Sequence, residues 1–199
     1  MGRMLVFALI TEIPFDLMYG NAVIYPFHQN VMWTFLISLC GIWIMETVKA
    51  KTKEMAKKRA EQNGEAKLKK YLWIIIPVDI VVVLSGFIIG LLSMVDYYGM
   101  GVVTVFLFYF FRGRKWWCYL GQVLVMYYLN VEVLGGLCYI VTIFGHKFEL
   151  VQQGFALLAL IPIWLYRGKQ GYHSKWFQYL CYAFYPGHII VLVLIQKLF

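Results

Sequence analysis

Long apolar segments recur along the whole chain, and they constrain its fold more than any other feature of the sequence. An α-helix needs about 20 mainly apolar residues to cross roughly 30 Å of hydrocarbon, and several segments reach that length. Hydrophobic residues make up 62% of the 199 residues and charged residues only 14%, whereas a soluble domain is close to half apolar and a quarter charged. The sequence therefore predicts an all-α, polytopic transmembrane bundle that forms one domain over 1–199.

Seven membrane crossings are predicted, with one long polar connector between the second and the third. The connector, 47–70, is rich in lysine and is expected to be solvated and partly helical, with Glu and Lys spaced four residues apart. The fourth crossing is short, and the fifth contains Gly135-Gly136, where two half-helices are an alternative to one helix. The predicted crossings are 4–20, 30–46, 71–95, 98–111, 116–143, 148–166 and 176–198.

The basic residues give this arrangement an orientation. All but two of the 18 lysines and arginines fall on one side, and the exceptions are Lys147 and Lys197. Because cytoplasmic loops are enriched in Lys and Arg, that side is predicted to be cytoplasmic, with the N-terminus inside and the C-terminus outside. Topology thus accounts for the net charge of +8, and no nucleic-acid partner is expected. Outside the connector, the cytoplasmic basic residues are Arg3, Arg112, Arg114, Lys115, Arg167, Lys169 and Lys175.

Ionisable residues within or beside the crossings are the strongest indication of function, because a charged group in lipid needs a partner or a task. Most of them are predicted to lie near the outer face. His188 lies deeper, two residues after Pro186, and Asp79 is the exception in the inner half of the third crossing. The outer layer consists of Glu12, Asp16, His28, Asp96 and Glu132.

This layer predicts general acid–base catalysis. A histidine held by a carboxylate can take a proton from a hydroxyl or an amine and return it to a leaving thiolate. His28 with Glu12 or Asp16 is one candidate dyad, and His188 is a second candidate base.

Structural roles for the same residues stay open. Asp16 is equally suited to end the first helix, and His28 with Asn30 to cap the second. Asp79 follows Pro77 by two residues, so it can serve backbone groups that the proline frees. No metal is predicted, because the cysteines lie in apolar segments without metal-binding spacing: Cys40, Cys118, Cys138 and Cys181.

Several strings resemble the TraX family of bacterial integral membrane proteins, named for a conjugation protein linked to N-terminal acetylation of pilin. The first is LVFALITEIPFD over 5–16, followed by His28-Gln29-Asn30-Val31. The others are Asp96-Tyr97 with Gly101, FYFFR over 108–112, KWFQY over 175–179 and FYPGH over 184–188. The resemblance covers both ends and the middle of the chain, but not the lysine-rich connector.

The resemblance implies an acetyl- or acyltransferase in the bacterial cytoplasmic membrane. Acetyl-CoA is the implied cytoplasmic donor, and the acceptor is an amine or hydroxyl of a pilin-like protein or a cell-envelope glycan. The expected catalytic residues are His28, Glu12, Asp16 and His188. Substrate or donor contacts are expected from Asp96, Tyr97, Gln29, Asn30, Arg112, Arg114, Lys115 and Tyr185.

The chain also departs from the family pattern. Relatives usually begin with about two further segments, the first with an Asp-His pair, so this sequence is interpreted as a truncated or reduced relative whose activity is open. Tyr98 and Gly187 stand where glycine and leucine are expected. Two other classes of function remain: a transporter-like bundle, and a non-catalytic membrane partner of a conjugation or envelope complex.

Overall fold

The described residues of the protein are predominantly helical and include one β-hairpin. The computed structural model describes residues 1–20, 22–63, 68–143, 146–166, 168–169, 171–172 and 174–198. Arg167 and residues 64–67 of the predicted connector lie outside these ranges. The elements are α1 (Gly2–Tyr19), α2 (Val31–Asn63), α3 (Leu68–Leu92), α4 (Tyr98–Phe110), α5 (Trp116–Tyr127), a π-helical segment (Tyr128–Leu134), β1 (Cys138–Ile143), β2 (His146–Val151), a 3-10 helix (Gln152–Ala159), α6 (Leu160–Leu165) and α7 (Lys175–Leu198).

Three stretches of helix in the described residues are long and apolar enough to cross a bilayer. They are Val31–Arg59 in α2, Tyr71–Leu92 in α3 and Lys175–Leu198 in α7. The prediction of a helical, multi-pass membrane protein is confirmed. The number of crossings and the orientation stay predictions.

By its internal contacts the chain divides into two compact units. The first contains Met1–Phe106 and Lys175–Phe199, and the second contains Leu107–Ser174. In the first unit α1 packs on α2 and α7, and α2 packs on α3. Whether the two units form one domain stays a prediction.

Phe106 is the largest side chain that is completely enclosed in the first unit. Its side chain is 1% exposed, and its ring packs against Gly41 of α2 and Gly86 of α3. In lipid, helices associate through close packing, which small residues permit. The two glycines therefore allow Phe106 of α4 to pack closely against α2 and α3.

The lysine-rich connector is helical as far as the structure describes it. Instead of ending near residue 46, α2 continues without a break to Asn63. Lys58 Nζ lies 2.8 Å from Glu54 Oε1, which confirms the spacing-four pairing. Lys49 Nζ lies 3.0 Å from Asp79 Oδ2 and joins α2 to α3, so Asp79 has an ionic partner.

The crossing predicted over 116–143 is wrong beyond Leu134. The helical chain stops at Gly135 and Gly136, whose φ angles are +61° and +100°, a conformation that glycine adopts without a steric cost. The next residues, Cys138–Ile143, form the first strand of an antiparallel hairpin with His146–Val151. β-branched and aromatic residues dominate that run, and they favour a strand over a helix.

The crossing predicted over 148–166 is also wrong in part. Its first residues belong to the hairpin, and the remainder is a short 3-10 helix followed by α6. Together these helices form one apolar stretch, Gln152–Leu165. The core of the second unit lies where Leu160 packs against Leu107 and Met126.

Phe106→Ala is expected to lower the free energy of unfolding by about 3 kcal/mol, because it leaves a cavity against Gly41 and Gly86. The matched control is Phe110→Ala, one turn later on the same helix, where the side chain is 40% exposed. Unfolding of the purified variants in mixed micelles with increasing SDS measures the free energy of unfolding of each. Equal stability of the two variants would contradict the proposed packing.

Candidate functional site

Two loops of the first unit are joined by backbone hydrogen bonds, and this junction builds the candidate site. The amide of Gln29 donates to the carbonyl of Met94 (2.9 Å), and the amide of Asp96 donates to the carbonyl of Gln29 (2.9 Å). The Thr34 hydroxyl also donates to the carbonyl of Asp96 (3.1 Å). The loop before α2 is thereby fixed to the turn between α3 and α4.

The junction places His28 beside Asp96. His28 Nε2 lies 3.6 Å from Asp96 Oδ1, and the two side chains are 18% and 23% exposed. Burial raises the pKa of Asp96 above its ordinary value, and the neighbouring His28 opposes that rise. The His28 ring stacks on Phe15 with 5.4 Å between centroids and contacts Tyr19 at 4.7 Å. An imidazole in this setting is oriented and still accessible.

The turn that carries Asp96 has a strained backbone. Met94, Tyr97 and Tyr98 have φ angles of +50°, +59° and +49°, which cost a non-glycine residue free energy. The positive φ of Tyr98 gives a physical reason for the glycine expected at this position. Tyr97, predicted as a substrate contact, is 44% exposed in this turn.

Asn30 connects α1 to the start of α2. Its Oδ1 accepts a hydrogen bond from the Met32 amide (2.9 Å), which caps α2. Its Nδ2 donates to the Ala8 carbonyl (2.9 Å) and to Glu12 Oε2. The side chain is completely buried, so the predicted capping role is confirmed and a second role in joining the helices is added.

Glu12 and Asp16 each use one carboxylate oxygen. Glu12 Oε2 also accepts a hydrogen bond from Trp33 Nε1 (2.8 Å). Asp16 Oδ2 accepts one from the Tyr25 amide (2.9 Å). The other oxygens, Glu12 Oε1 and Asp16 Oδ1, are buried and have no hydrogen-bond partner among the described residues. Each carboxylate therefore holds a neighbouring segment and keeps one oxygen unused.

His28 has a different carboxylate partner from the two considered in the sequence. Its partner is Asp96, whereas Glu12 and Asp16 bind Asn30, Trp33 and the backbone of Tyr25. The cause is the backbone junction, which connects Gln29 with Met94 and Asp96, 65 and 67 positions later in the chain, and leaves no periodic signal in the sequence. Trp33 and Thr34 were also missed, because both lie in an apolar run that is typical of a membrane helix.

Tyr185 and His188 of α7 have separate environments. The Tyr185 hydroxyl interacts with the backbone of Val31 and lies within the electrostatic influence of Asp96 and Glu12, so Tyr185 belongs to the site. His188 Nδ1 is 3.2 Å from the Phe184 carbonyl, and its ring stacks on Phe184. His188 is connected to the site through Tyr185, and the centroids of their two rings are 5.4 Å apart.

The basic residues predicted to bind the donor belong to the second unit. Arg114 Nη2 donates to the Tyr166 carbonyl (2.9 Å), and the Arg112 guanidinium lies 4.9 Å from the centre of the Tyr109 ring. Both arginines line a cavity of about 310 Å³. Lys115 immediately precedes α5, and Glu132 is an exposed residue of the π-helical segment.

Comparison with known families gives one match that covers almost the whole chain. The model of the TraX protein family matches residues 1–196. The chain belongs to the TraX family. No curated protein matches it, and no solved structure does either. The TraX match therefore includes both the loop junction and the basic residues of the second unit.

Among the described residues, no three His, Cys, Asp or Glu side chains form a group that could hold a metal ion.

Asn30→Ala is expected to destabilise the TraX fold by about 2 kcal/mol, because it removes a helix cap and two buried hydrogen bonds, to the Ala8 carbonyl and to Glu12. The matched control is Gln29→Ala, since the Gln29 side chain donates only a 3.3 Å exposed hydrogen bond to the Pro26 carbonyl. Thermal unfolding in detergent should separate the two variants. A smaller loss for Asn30→Ala than for Gln29→Ala would contradict its joining role.

Proposed function

We propose that this TraX-family protein is an integral membrane acyltransferase that moves an acetyl or other acyl group from acetyl-CoA, or a similar cytoplasmic thioester, to an acceptor amine or hydroxyl. The observation that carries the proposal is the His28–Asp96 pair, in which a partly exposed imidazole lies 3.6 Å from a carboxylate. A paired, accessible histidine is the usual general base for such a transfer. Its location beside buried carboxylates in a membrane protein favours a functional role.

The roles of the two residues follow from their geometry. With Nε2 facing Asp96, Nδ1 of His28 is the nitrogen that remains to accept a proton from the acceptor. As that proton moves to Nδ1, the acceptor oxygen or nitrogen bonds to the acyl carbon and the C–S bond of the thioester breaks. His28 then returns the proton to the thiolate. Asp96 orients the ring and stabilises its cationic form.

Glu12, Asn30 and Tyr185 support this step as positioning residues. Glu12 holds Asn30 and Trp33, and Tyr185 contacts the backbone of Val31 at the start of α2. Glu12 Oε1 is buried and has no hydrogen-bond partner among the described residues, so Glu12 acts on the site through Asn30 and Trp33. These residues would fix the acceptor relative to His28.

The donor is assigned to the basic cavity of the second unit. Arg112 and Arg114 line it, and Lys115 adds a third positive charge beside them in the sequence. Guanidinium groups bind phosphate oxygens in a forked geometry, and coenzyme A carries several phosphate groups. The cluster is thus chemically suited to the diphosphate part of the donor. Because the cluster is predicted to be cytoplasmic and His28 to lie near the outer face, the thioester end of the donor would have to reach His28 through the bundle.

A proton-coupled transporter is the second candidate function. Buried carboxylate oxygens of Glu12 and Asp16 without partners among the described residues favour it, since intramembrane carboxylates also serve as proton carriers. The two candidates differ in a measurable way: only the acyltransferase forms an acylated product in the absence of any gradient.

His28→Ala is expected to lower acyl transfer at least about 100-fold, the usual contribution of a general base, without preventing membrane insertion. The matched control is His146→Ala, which changes an exposed histidine of β2. Transfer of radiolabelled acetyl from acetyl-CoA to lipid and protein acceptors in reconstituted membranes measures both. Full activity of His28→Ala would exclude the proposed base.

Asp96→Asn is expected to lower transfer while preserving or raising the free energy of unfolding at neutral pH. Burial raises the pKa of Asp96, so the ionised carboxylate destabilises the folded state at pH values above that pKa, and the amide removes this cost. The backbone junction with Gln29 does not involve the side chain and should persist. A parallel loss of stability and activity would instead indicate a structural role.

Arg112→Gln is expected to raise the KM for acetyl-CoA about tenfold, which corresponds to ~1.4 kcal/mol, with little change in kcat. Lys51→Gln, in the lysine-rich part of α2, removes a positive charge elsewhere and serves as the control. Initial rates at increasing acetyl-CoA concentration separate KM from kcat. An unchanged KM would remove Arg112 from the donor site and leave the role of His28 unaffected.

A further inference from the structure

A long apolar groove lies between α2 and α3 in the first unit. Its volume is about 530 Å³, and it extends from Gln29 to Ile44 on one side and from Val82 to Val95 on the other. On α2 the lining extends from Trp33 to Ile44, a distance of 11 residues, or about 16 Å at 1.5 Å per residue. One leaflet of a bilayer contributes only about 15 Å of hydrocarbon, half of the roughly 30 Å core. The groove is therefore long enough for a complete lipid acyl chain.

The side chains that line the middle of the groove are almost all apolar, so this part is suited to a hydrocarbon ligand. Leu36, Ile37 and Ile89 line its middle. Ser85 is the polar side chain at that depth, and its hydroxyl already donates to the Val82 carbonyl (3.0 Å). Because that hydroxyl is already donated, the described lining of this part of the groove offers a ligand almost no hydrogen bonding, so the matching part of the ligand must be apolar.

The groove keeps its shape because a buried side chain of α4 packs against the glycines that line its base. Gly41 and Gly86 line it, and Phe106, which does not line it, packs against both glycines. A buried ring in that position prevents the two helices from closing further at this level. The cavity is thus a fixed feature of the α2–α3–α4 packing.

The polar end of the groove is part of the candidate site. Gln29 and Val95 line this end, and they form the backbone junction that holds His28 beside Asp96. Trp33 forms the adjoining wall and donates its indole N–H to Glu12. Since the membrane-spanning part of α2 begins at Val31, this end lies at the level of lipid head groups.

We propose that the α2–α3 groove binds one acyl chain of a membrane lipid whose head group, an amine or a hydroxyl, is the acyl acceptor. The proposal rests on the proposed acyltransferase function and names its acceptor. The head group would lie at His28 while its chain occupies the groove. The head-group N–H or O–H proton passes to His28 Nδ1, the nitrogen or oxygen bonds to the acyl carbon, the thioester C–S bond breaks, and the thiolate receives the proton.

Photocrosslinking tests the binding step without requiring activity. The full chain is reconstituted in nanodiscs that contain phosphatidylethanolamine with a diazirine in one acyl chain, and the adducts are mapped by mass spectrometry. We expect adducts concentrated at Ile37, Cys40 and Ile89, and a loss of at least about fivefold in Ser85→Phe, which fills the groove. Leu84→Phe introduces the same ring at an exposed α3 position that does not line the groove and should leave the adducts unchanged.

Adducts spread evenly over all lipid-facing helices, or an unchanged yield in Ser85→Phe, would overturn the proposal. A second measurement follows acetyl transfer to phosphatidylethanolamine and to a water-soluble amine in the same variants. Ser85→Phe should reduce lipid acetylation about tenfold and preserve transfer to the soluble amine. Equal loss with both acceptors would overturn the groove as an acceptor site. Absence of any transfer by the unmodified protein, with specific crosslinking retained, would overturn the enzyme function and the acceptor role together, while lipid binding would stand.

Discussion

The candidate site depends on two backbone hydrogen bonds. The amide of Gln29 donates to the carbonyl of Met94, and the carbonyl of Gln29 accepts from the amide of Asp96. In a bundle surrounded by lipid, side-chain burial alone gives little direction to association, whereas polar groups must find partners within the protein. The pairing satisfies four backbone groups, the N–H and C=O of Gln29, the C=O of Met94 and the N–H of Asp96, and it fixes two loops at once. The position of His28 relative to Asp96 and the polar end of the α2–α3 groove both follow from it.

Most of the helical part of the fold could be predicted from the sequence, because the spans of α1, α2, α3 and α7 are long apolar segments separated by polar ones. The region 128–166 could not. Hydropathy measures how apolar a segment is and not how it is folded, so an apolar strand such as Cys138–Ile143 has the same hydropathy as part of a membrane helix. Gly135-Gly136 and the β-branched residues after it were the available local signals, and they outweigh the hydropathy of the segment.

The members of the site were easier to predict than their pairings. Ionisable residues are rare in an apolar chain and are therefore easy to recognise as candidates. The predicted members that lie in the first unit, at or near the loop junction, are Glu12, Asp16, His28, Asn30 and Asp96. Which of them pair was not visible, because His28 reaches Asp96 through a backbone bridge between distant loops. The helical spacing of Glu12 and Asp16 suggested a shared role, and instead each holds a different segment.

The site also contains features that a purely structural polar layer would lack. Three non-glycine residues of the Asp96 turn have positive φ angles, at a cost of about 1 kcal/mol or more each. Glu12 and Asp16 each keep a buried oxygen without a partner among the described residues, and such a group costs about 1–3 kcal/mol. A layer whose task is only to join helices gains nothing from these costs. Strained backbone is concentrated at functional sites, and in this protein it holds Asp96 beside the partly exposed imidazole of His28, which is where the proposed acyl acceptor would lie.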